Sequence, residues 1–202
     1  MITLPHPPST AGPDYTRRLS SLERIWWKRV FDVQAPYRRN LRRLKLGNVL
    51  DVGCGIGRNL MHLDSGSVGI DHNPYSIEVA RQRGLSAFVP DEFAQCPLAR
   101  SGAFDSLLLA HVLEHMEFSA ARDLLRTYVP YLRPGGRVVI ICPQEAGFRC
   151  DPTHVEFFDF ARLQECLIGV DFNVVRAYSF PFPRLLGRVF KYNEFVVIGE
   201  RV

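Results

Sequence analysis

The chain has 202 residues, 47% of them hydrophobic, which is enough apolar material for one well-filled core and too little for two. It has no apolar run approaching the roughly 18 residues of a membrane span, and its start, "MITLPHPPST", lacks an apolar signal segment, so a cytoplasmic protein is expected. Five cysteines (Cys54, Cys96, Cys142, Cys150 and Cys166), an odd number with no CxxC pair, argue against a disulfide framework and a cysteine zinc site.

The net charge of +4 is unevenly placed: residues 1–45 carry ten Lys and Arg against Asp14, Glu23 and Asp32, and the rest of the chain is net acidic. Residues 1–16, with four prolines, read as a flexible leader. Over residues 17–45, "SLERIWWKRVFDV" and "APYRRNLRRLKL" set apolar residues at helical spacing among Arg and Lys, predicting two amphipathic helices that form a lid or cap. Residues 46–202 form the main domain. Strand-like runs "GNVLDV", "SVGID", "SAFVP", "FDSLLLA" and "GRVVIIC" come first, and "HNPYSIEVARQRG" between the second and third predicts a helix with Asn73 as N-cap and Pro74 in its first turn. A helix over "FDFARLQECLIG" and two strands, "FNVVRAYSF" and "EFVVIGERV", close the chain. The loop between these strands is too short for a crossover helix, so they should be antiparallel.

"VLDVGCGIGRNL", residues 49–60, ends a strand on an acid and then spaces Gly53, Gly55 and Gly57 before an expected helix start. Such a corner lets a ligand approach the backbone at the carboxyl edge of a parallel sheet. Arg58 occupies the last glycine position of a dinucleotide fingerprint, and Asp51 would repel a pyrophosphate but attract an ammonium group. S-adenosylmethionine (SAM) carries such a group. The second strand ends at Asp71, placed to accept hydrogen bonds from both ribose hydroxyls. "VPDEF" sets Asp91 near an adenine amino group, with Glu92 or Phe93 adding backbone or apolar contact.

Five stretches in order, "VLDVGCGIG", "VGIDHNP", "FVPDEF", "FDSLLLAHVLEHM" and "LRPGGRVVIICP", give residues 47–143 a resemblance to class I SAM-dependent methyltransferases of the small type 11/12-like kind. The resemblance implies an α/β, Rossmann-like, doubly wound sheet of seven mostly parallel strands in the order 3-2-1-4-5-7-6, with an antiparallel last strand. It implies that Asp51, Gly53, Cys54 and Gly55 serve the methionine end, Asp71 and His72 the ribose, and Asp91 with Glu92 the adenine. Ala110 and His111 should border the methyl group, and the product should be S-adenosylhomocysteine.

"HVLEH", residues 111–115, also matches the H-x-x-E-H signature of inverted zinc peptidases. It lies inside the methyltransferase motif order with no acidic ligand helix downstream, so that reading is set aside. Ubiquinone-pathway O-methyltransferases and small-RNA 2′-O-methyltransferases resemble this segment with a Glu-x-x-Glu-His motif and a later His that bind a divalent metal. Here His111 stands for the first Glu, leaving Glu114, His115 and His154 as the alternative metal site. Because many metal-free relatives carry a similar "LEH" segment, the metal-free reading is adopted.

Methyl transfer to a hydroxyl needs a proton acceptor, and His111, His115 and His154 titrate in the right range. His154 is the preferred base, because the loop after the fifth strand walls the acceptor pocket in relatives. Trp26, Trp27, Phe31 and Tyr37 among arginines suit a sugar, a phosphorylated intermediate or a lipid-linked glycan, although ordinary packing against the sheet is the favoured reading of them. "SFPFPRLLGRVFKY", residues 179–192, is a second apolar and basic wall, suited to an anionic membrane surface. Neither segment resembles an RNA-binding module, so nucleic acid is not the expected partner. The expectation is an O-methyltransferase for a small-molecule, glycan or glycolipid acceptor, monomeric or homodimeric. An RNA methyltransferase using the basic arm and a silent SAM-binding partner subunit are the alternatives.

Overall fold

The computed structural model describes residues 12–14, 16, 17, 21 and 35–201. The helix expected over 21–33, with Trp26, Trp27 and Phe31, and most of the expected leader lie outside the described residues. The second amphipathic segment forms α1, Ala35–Leu44, which buries Leu41 and Leu44 and places Arg42 and Arg43 in its last turn. Cations there complement the negative end of the helix dipole.

The sheet has seven strands: β1 Val49–Val52, β2 Val68–Ile70, β3 Ala87–Phe88, β4 Phe104–Ala110, β5 Leu132–Pro143, β6 Phe172–Phe180 and β7 Glu194–Arg201. Their order is β3-β2-β1-β4-β5-β7-β6, as the motif order implies. The first five pair in parallel, and β7 runs antiparallel to both β5 and β6. The central strands read as apolar runs rather than alternating patterns because both faces are covered. Along β4 the faces separate cleanly: Leu107 and Leu109 join a core with Phe93, Leu125, Phe158 and Leu163, while Leu108 joins Leu41, Leu44, Val139 and Val196 under α1.

Around the sheet lie α2 Pro74–Gln82, α3 Pro90–Ala94, α4 Phe118–Tyr128, α5 Glu145–Phe148 and α6 Phe160–Ile168, with 3₁₀ turns at Leu60–His62, Leu113–His115, Val129–Tyr131 and Arg184–Arg188. Two local expectations need correction. No α-helix begins after the glycine loop: residues 53–59 form turns that run into the 3₁₀ segment. Gly53 and Gly57 adopt φ of +77° and +79°, conformations an α-helix cannot include. A Cβ at either position would meet Val112 Cγ2 or Leu85 Cδ1 at 2.3 Å. The protein's own packing therefore demands these two glycines. The third strand also stops at Phe88 rather than reaching Pro90, because Pro90 opens α3, where its missing N–H costs nothing.

At α2 the expected cap is present, with the Asn73 side chain accepting hydrogen bonds from the amides of Tyr75 and Ser76 at 3.0 and 3.3 Å. Replacing Asn73 with Ala should cost about 1 kcal/mol of stability, read as a lower urea midpoint with an unchanged denaturant slope.

Candidate active site

The carboxyl ends of β1, β2, β4 and β5 meet the first residue of β7 along one edge of the sheet, and the sequence-predicted polar residues cluster there. Asp51 sits in β1 with 1% of its surface exposed. Its Oδ2 has no hydrogen-bond partner among the described residues. Burial, and then the nearby Asp71 carboxylate, push its pKa up to about 7. An unpaired buried acid is costly, so this corner favours a cationic group.

Asp71 is also buried, but it is satisfied: Oδ2 accepts from the Gly55 amide and Oδ1 from the Asn73 amide, each at 2.8 Å. A carboxylate has lone pairs beyond these two, which leaves acceptors for a diol. His72 is exposed and places Nδ1 3.6 Å from Asp71 Oδ1. Cys54 is buried against Gly69, and burial followed by the charges of Asp51 and Asp71 raises its thiol far above the ordinary range. Asp91 and Glu92 stand exposed in the first turn of α3. Glu92 is engaged locally by Arg81 and the Val89 amide, while Phe93 is buried in the core, leaving Asp91 as the unengaged acid of the pair.

At the end of β4, Ala110 is half-buried and the His111 amide continues the ladder to the Ile141 carbonyl at 2.9 Å. His111 then turns into the left-handed region at φ +60°. Its ring lies between two carboxylates, Nδ1 at 3.2 Å from Glu114 Oε1 and Nε2 at 2.8 Å from Glu194 Oε1. Burial works against a charged ring here, but hydrogen bonds and charge from Glu114 and Glu194 prevail and push the pKa up to about 10. His111 is thus an imidazolium at neutral pH and has no lone pair with which to take a proton. Glu194 escaped the sequence reading, although the strand order places Pro143 beside Glu194.

His115 and His154 are arranged differently. The Nδ1–H of His115 donates to the Thr153 carbonyl at 3.1 Å, and that of His154 donates to the Phe148 carbonyl at 2.8 Å. A carbonyl only accepts, so Nδ1 carries the proton of that bond in each ring, and the lone pair of a neutral ring falls on Nε2. Burial chiefly lowers the pKa of His115. The two rings meet edge to face at 4.9 Å between centroids. Thr153 and its neighbours are folded over the 3₁₀ turn, with the Val155 amide donating to the Glu114 carbonyl at 2.7 Å.

One ligand atom each from Glu114, His115 and His154 lies within 4.8 Å of the others. Glu114 is fully buried and its Oε2 has no partner among the described residues. The donor set, one carboxylate and two imidazoles each held by a backbone carbonyl at Nδ1, fits a divalent cation. Nearby, Tyr37 of α1 donates its hydroxyl to the Tyr192 carbonyl, and the Tyr178 hydroxyl donates to Asn40 Oδ1 at 2.9 Å, tying α1 to this side of the site. Two cavities, of about 320 and 220 Å³, lie at the opposite edge around Leu46, His62 and Ser86. They contain none of this constellation.

Residues 50–140 match a family model described as a methyltransferase domain. The chain is 31% identical over 136 residues to tRNA (carboxymethyluridine(34)-5-O)-methyltransferase alkbh8 of Xenopus tropicalis, covering 60% of this chain and 21% of that protein. It is 28% identical over 143 residues to a ubiquinone biosynthesis O-methyltransferase of Nitrosococcus oceani, covering 62% of this chain and 60% of that one. The chain thus spans only part of the length of both relatives. A SAM-dependent methyltransferase structure from Archaeoglobus fulgidus superposes with a TM-score of 0.65 at 19% identity, covering 87% of this chain and 98% of that chain.

Replacing His111 with Gln should cost about 2 kcal/mol at pH 7, less than for a fully buried pair because 45% of the ring side chain is exposed. Its folded pKa is raised, so its contribution is complete below the ordinary value of 6.5 and lost as pH rises through about 10. Thermal unfolding from pH 6 to 10.5 should show an alkaline decline in the parent protein that the variant lacks.

Proposed function

We propose that this chain is a class I SAM-dependent methyltransferase, a reading supported by the match of residues 50–140 to a methyltransferase-domain model and by the fold, and that it binds SAM at the Asp51–Asp71 corner and transfers its methyl group to a hydroxyl of a small or carbohydrate-like acceptor. The observation that carries the cofactor reading is the buried, unpartnered Asp51 carboxylate oxygen, a ready partner for the ammonium group of SAM. Asp71 would hold the ribose diol, with His72 at its rim, and Asp91 the adenine amino group. Gly53, Cys54 and Gly55 would supply backbone contact to the methionine end. Ala110 and the His111 backbone would border the methyl group.

In this reading the methyl carbon leaves the sulfonium as the acceptor oxygen attacks in line, and the sulfur departs as a neutral thioether. The proton of the hydroxyl passes to an imidazole Nε2. His154 is the proposed base, with its tautomer fixed by the Phe148 carbonyl, and His115 lies beside it. His111 acts by position, as the cation that holds Glu114 and Glu194 together. Residues 17–45 would form a lid over the acceptor side, where α1 already touches Tyr192 and Tyr178.

A second reading adds a divalent metal at Glu114, His115 and His154, which would lower the pKa of the acceptor hydroxyl and orient it. In that case His154 would serve as a ligand rather than a base. The tRNA-modifying relative keeps an RNA acceptor among the outcomes to be measured. Isotopically labelled SAM given with a fractionated cell extract, followed by counting of glycan, lipid, small-molecule, RNA and protein pools, separates these acceptors. Label in RNA alone would displace the proposed acceptor class, and no label in any pool would favour a silent SAM-binding subunit.

Two further outcomes are expected. Because the Asp51 pKa is raised to about 7, binding of the ammonium group should expel a proton, and SAM affinity should fall by up to about tenfold per pH unit below that value. Calorimetry in buffers of different ionisation enthalpy measures this, and Asp51→Asn should weaken binding and abolish the proton release. His154→Ala should lower turnover while leaving SAM affinity unchanged. Loss of activity on chelation, restored by added metal, would assign His154 to the metal instead.

A further inference from the structure

The exposed aliphatic side chains are concentrated in the β6–β7 loop. Leu185 and Val189 are 73% and 78% exposed, and Phe182, Leu186 and Tyr192 are also exposed within the same eleven residues. This is not a loosely packed loop. Asn193 is fully buried and holds the base of the loop, accepting from the Phe182 amide at 2.9 Å and donating to the Phe182 and Pro183 carbonyls. Gln144, also fully buried, lies so close under Gly187 that an added Cβ would stand 1.6 Å from its Oε1. The buried amides lock the inner side of the loop, leaving the aliphatic crown in water.

Residues 181–193 contain no Asp or Glu. Arg184 is paired with Glu145, but Arg188 and Lys191 stand exposed in the crown, with Arg149 donating to the Arg188 carbonyl at 3.1 Å. The adjoining helix α1, joined to the loop through Tyr37 and Tyr192, adds exposed Arg39 and Arg43 and contains no acid. Single exposed apolar residues need no explanation, but a fixed cluster of them set among cations does. A protein interface would be depleted of lysine at its centre, and a nucleic-acid surface would present stacking rings at its most exposed positions, whereas here Leu185 and Val189 project further into water than Phe182 and Tyr192. Aliphatic side chains ringed by cations match the boundary between acyl chains and anionic headgroups.

We infer that the β6–β7 loop, with the adjoining end of α1, docks this protein onto an anionic lipid bilayer, inserting Leu185 and Val189 between headgroups while Arg188 and Lys191 contact their phosphates. Because β6 ends and β7 begins at the carboxyl edge, the docked face adjoins the His111–Glu194 side of the site. The inference does not depend on which acceptor is methylated.

The test is co-sedimentation of the full chain with phosphatidylcholine vesicles that contain or lack phosphatidylglycerol, at low and high salt, with total tRNA as a parallel ligand. Binding is expected only to the anionic vesicles and should weaken with salt. The Leu185→Ser, Val189→Ser double variant should lose at least about tenfold in partitioning, because each aliphatic side chain withdrawn from water contributes on that order. Arg188→Glu, Lys191→Glu should lose binding while keeping the parent's thermal unfolding midpoint within a few degrees, which separates docking from folding. No binding to anionic vesicles would overturn the inference. So would full binding by the Ser double variant, which would assign attraction to charge alone. Binding of tRNA without vesicle binding would assign the surface to nucleic acid. A shift from dimer to monomer in the Ser variant without vesicle binding in the parent would assign it to self-association.

Discussion

Coverage of the sheet on both faces is the constraint on which the site depends. β1, β4, β5 and β7 are apolar along most of their length because helices or other side chains lie above and below them. A polar group on these strands reaches a ligand chiefly where a strand stops. Parallel pairing aligns the stops of β1, β2, β4 and β5 on one edge, and the reversal of β7 brings its first residue to the same edge. Asp51, Asp71, His111 and Glu194 lie far apart in the sequence, and the strand order brings them together.

Electrostatics then divides that edge into two regions. On one side two acids share a small volume, and burial and then the Asp71 charge hold Asp51 partly protonated. On the other side two acids share a histidine, which pairs with one oxygen of each while Glu114 Oε2 has no partner among the described residues. The contrast gives the first region an unmet demand for a cation and the second a rigid floor. The His115 and His154 rings lie beside that floor, each fixed by a backbone carbonyl at Nδ1.

Much of this was legible in the sequence. Strand order and the alternation between layers followed from five ordered motifs, and the α2 cap followed from Asn73-Pro74. The short-range geometry was less legible. The glycine run suggested a helix start, whereas Val112 and Leu85, 59 and 28 residues downstream of the glycines they contact, dictate a turn. α4, whose sequence is "FSAARDLLRTY", has Ala121, Leu125 and Tyr128 at helical spacing and was the plainest signal left unused. The roles of the three histidines were not separable from sequence, because all three begin from the same intrinsic pKa. Glu194 and the Thr153 carbonyl, supplied by distant parts of the chain, and the nearer Phe148 carbonyl distinguish them.

The backbone at His111 places two demands on one residue. The chain must turn through the left-handed region after donating its amide to β5, a conformation that Asn, Asp and His adopt more readily than other side chains. The same side chain must present two donors and a positive charge within reach of two carboxylates, one in the 3₁₀ turn that follows and one at the start of β7. Asn can make the turn but is neutral, whereas Lys and Arg carry charge on stems too long for the gap. Histidine alone satisfies both requirements, so the identities of residues 111, 114 and 194 are tied together. A lineage that exchanged the histidine would need to discharge one of the glutamates as well, and drift at this corner would proceed in linked steps rather than one residue at a time.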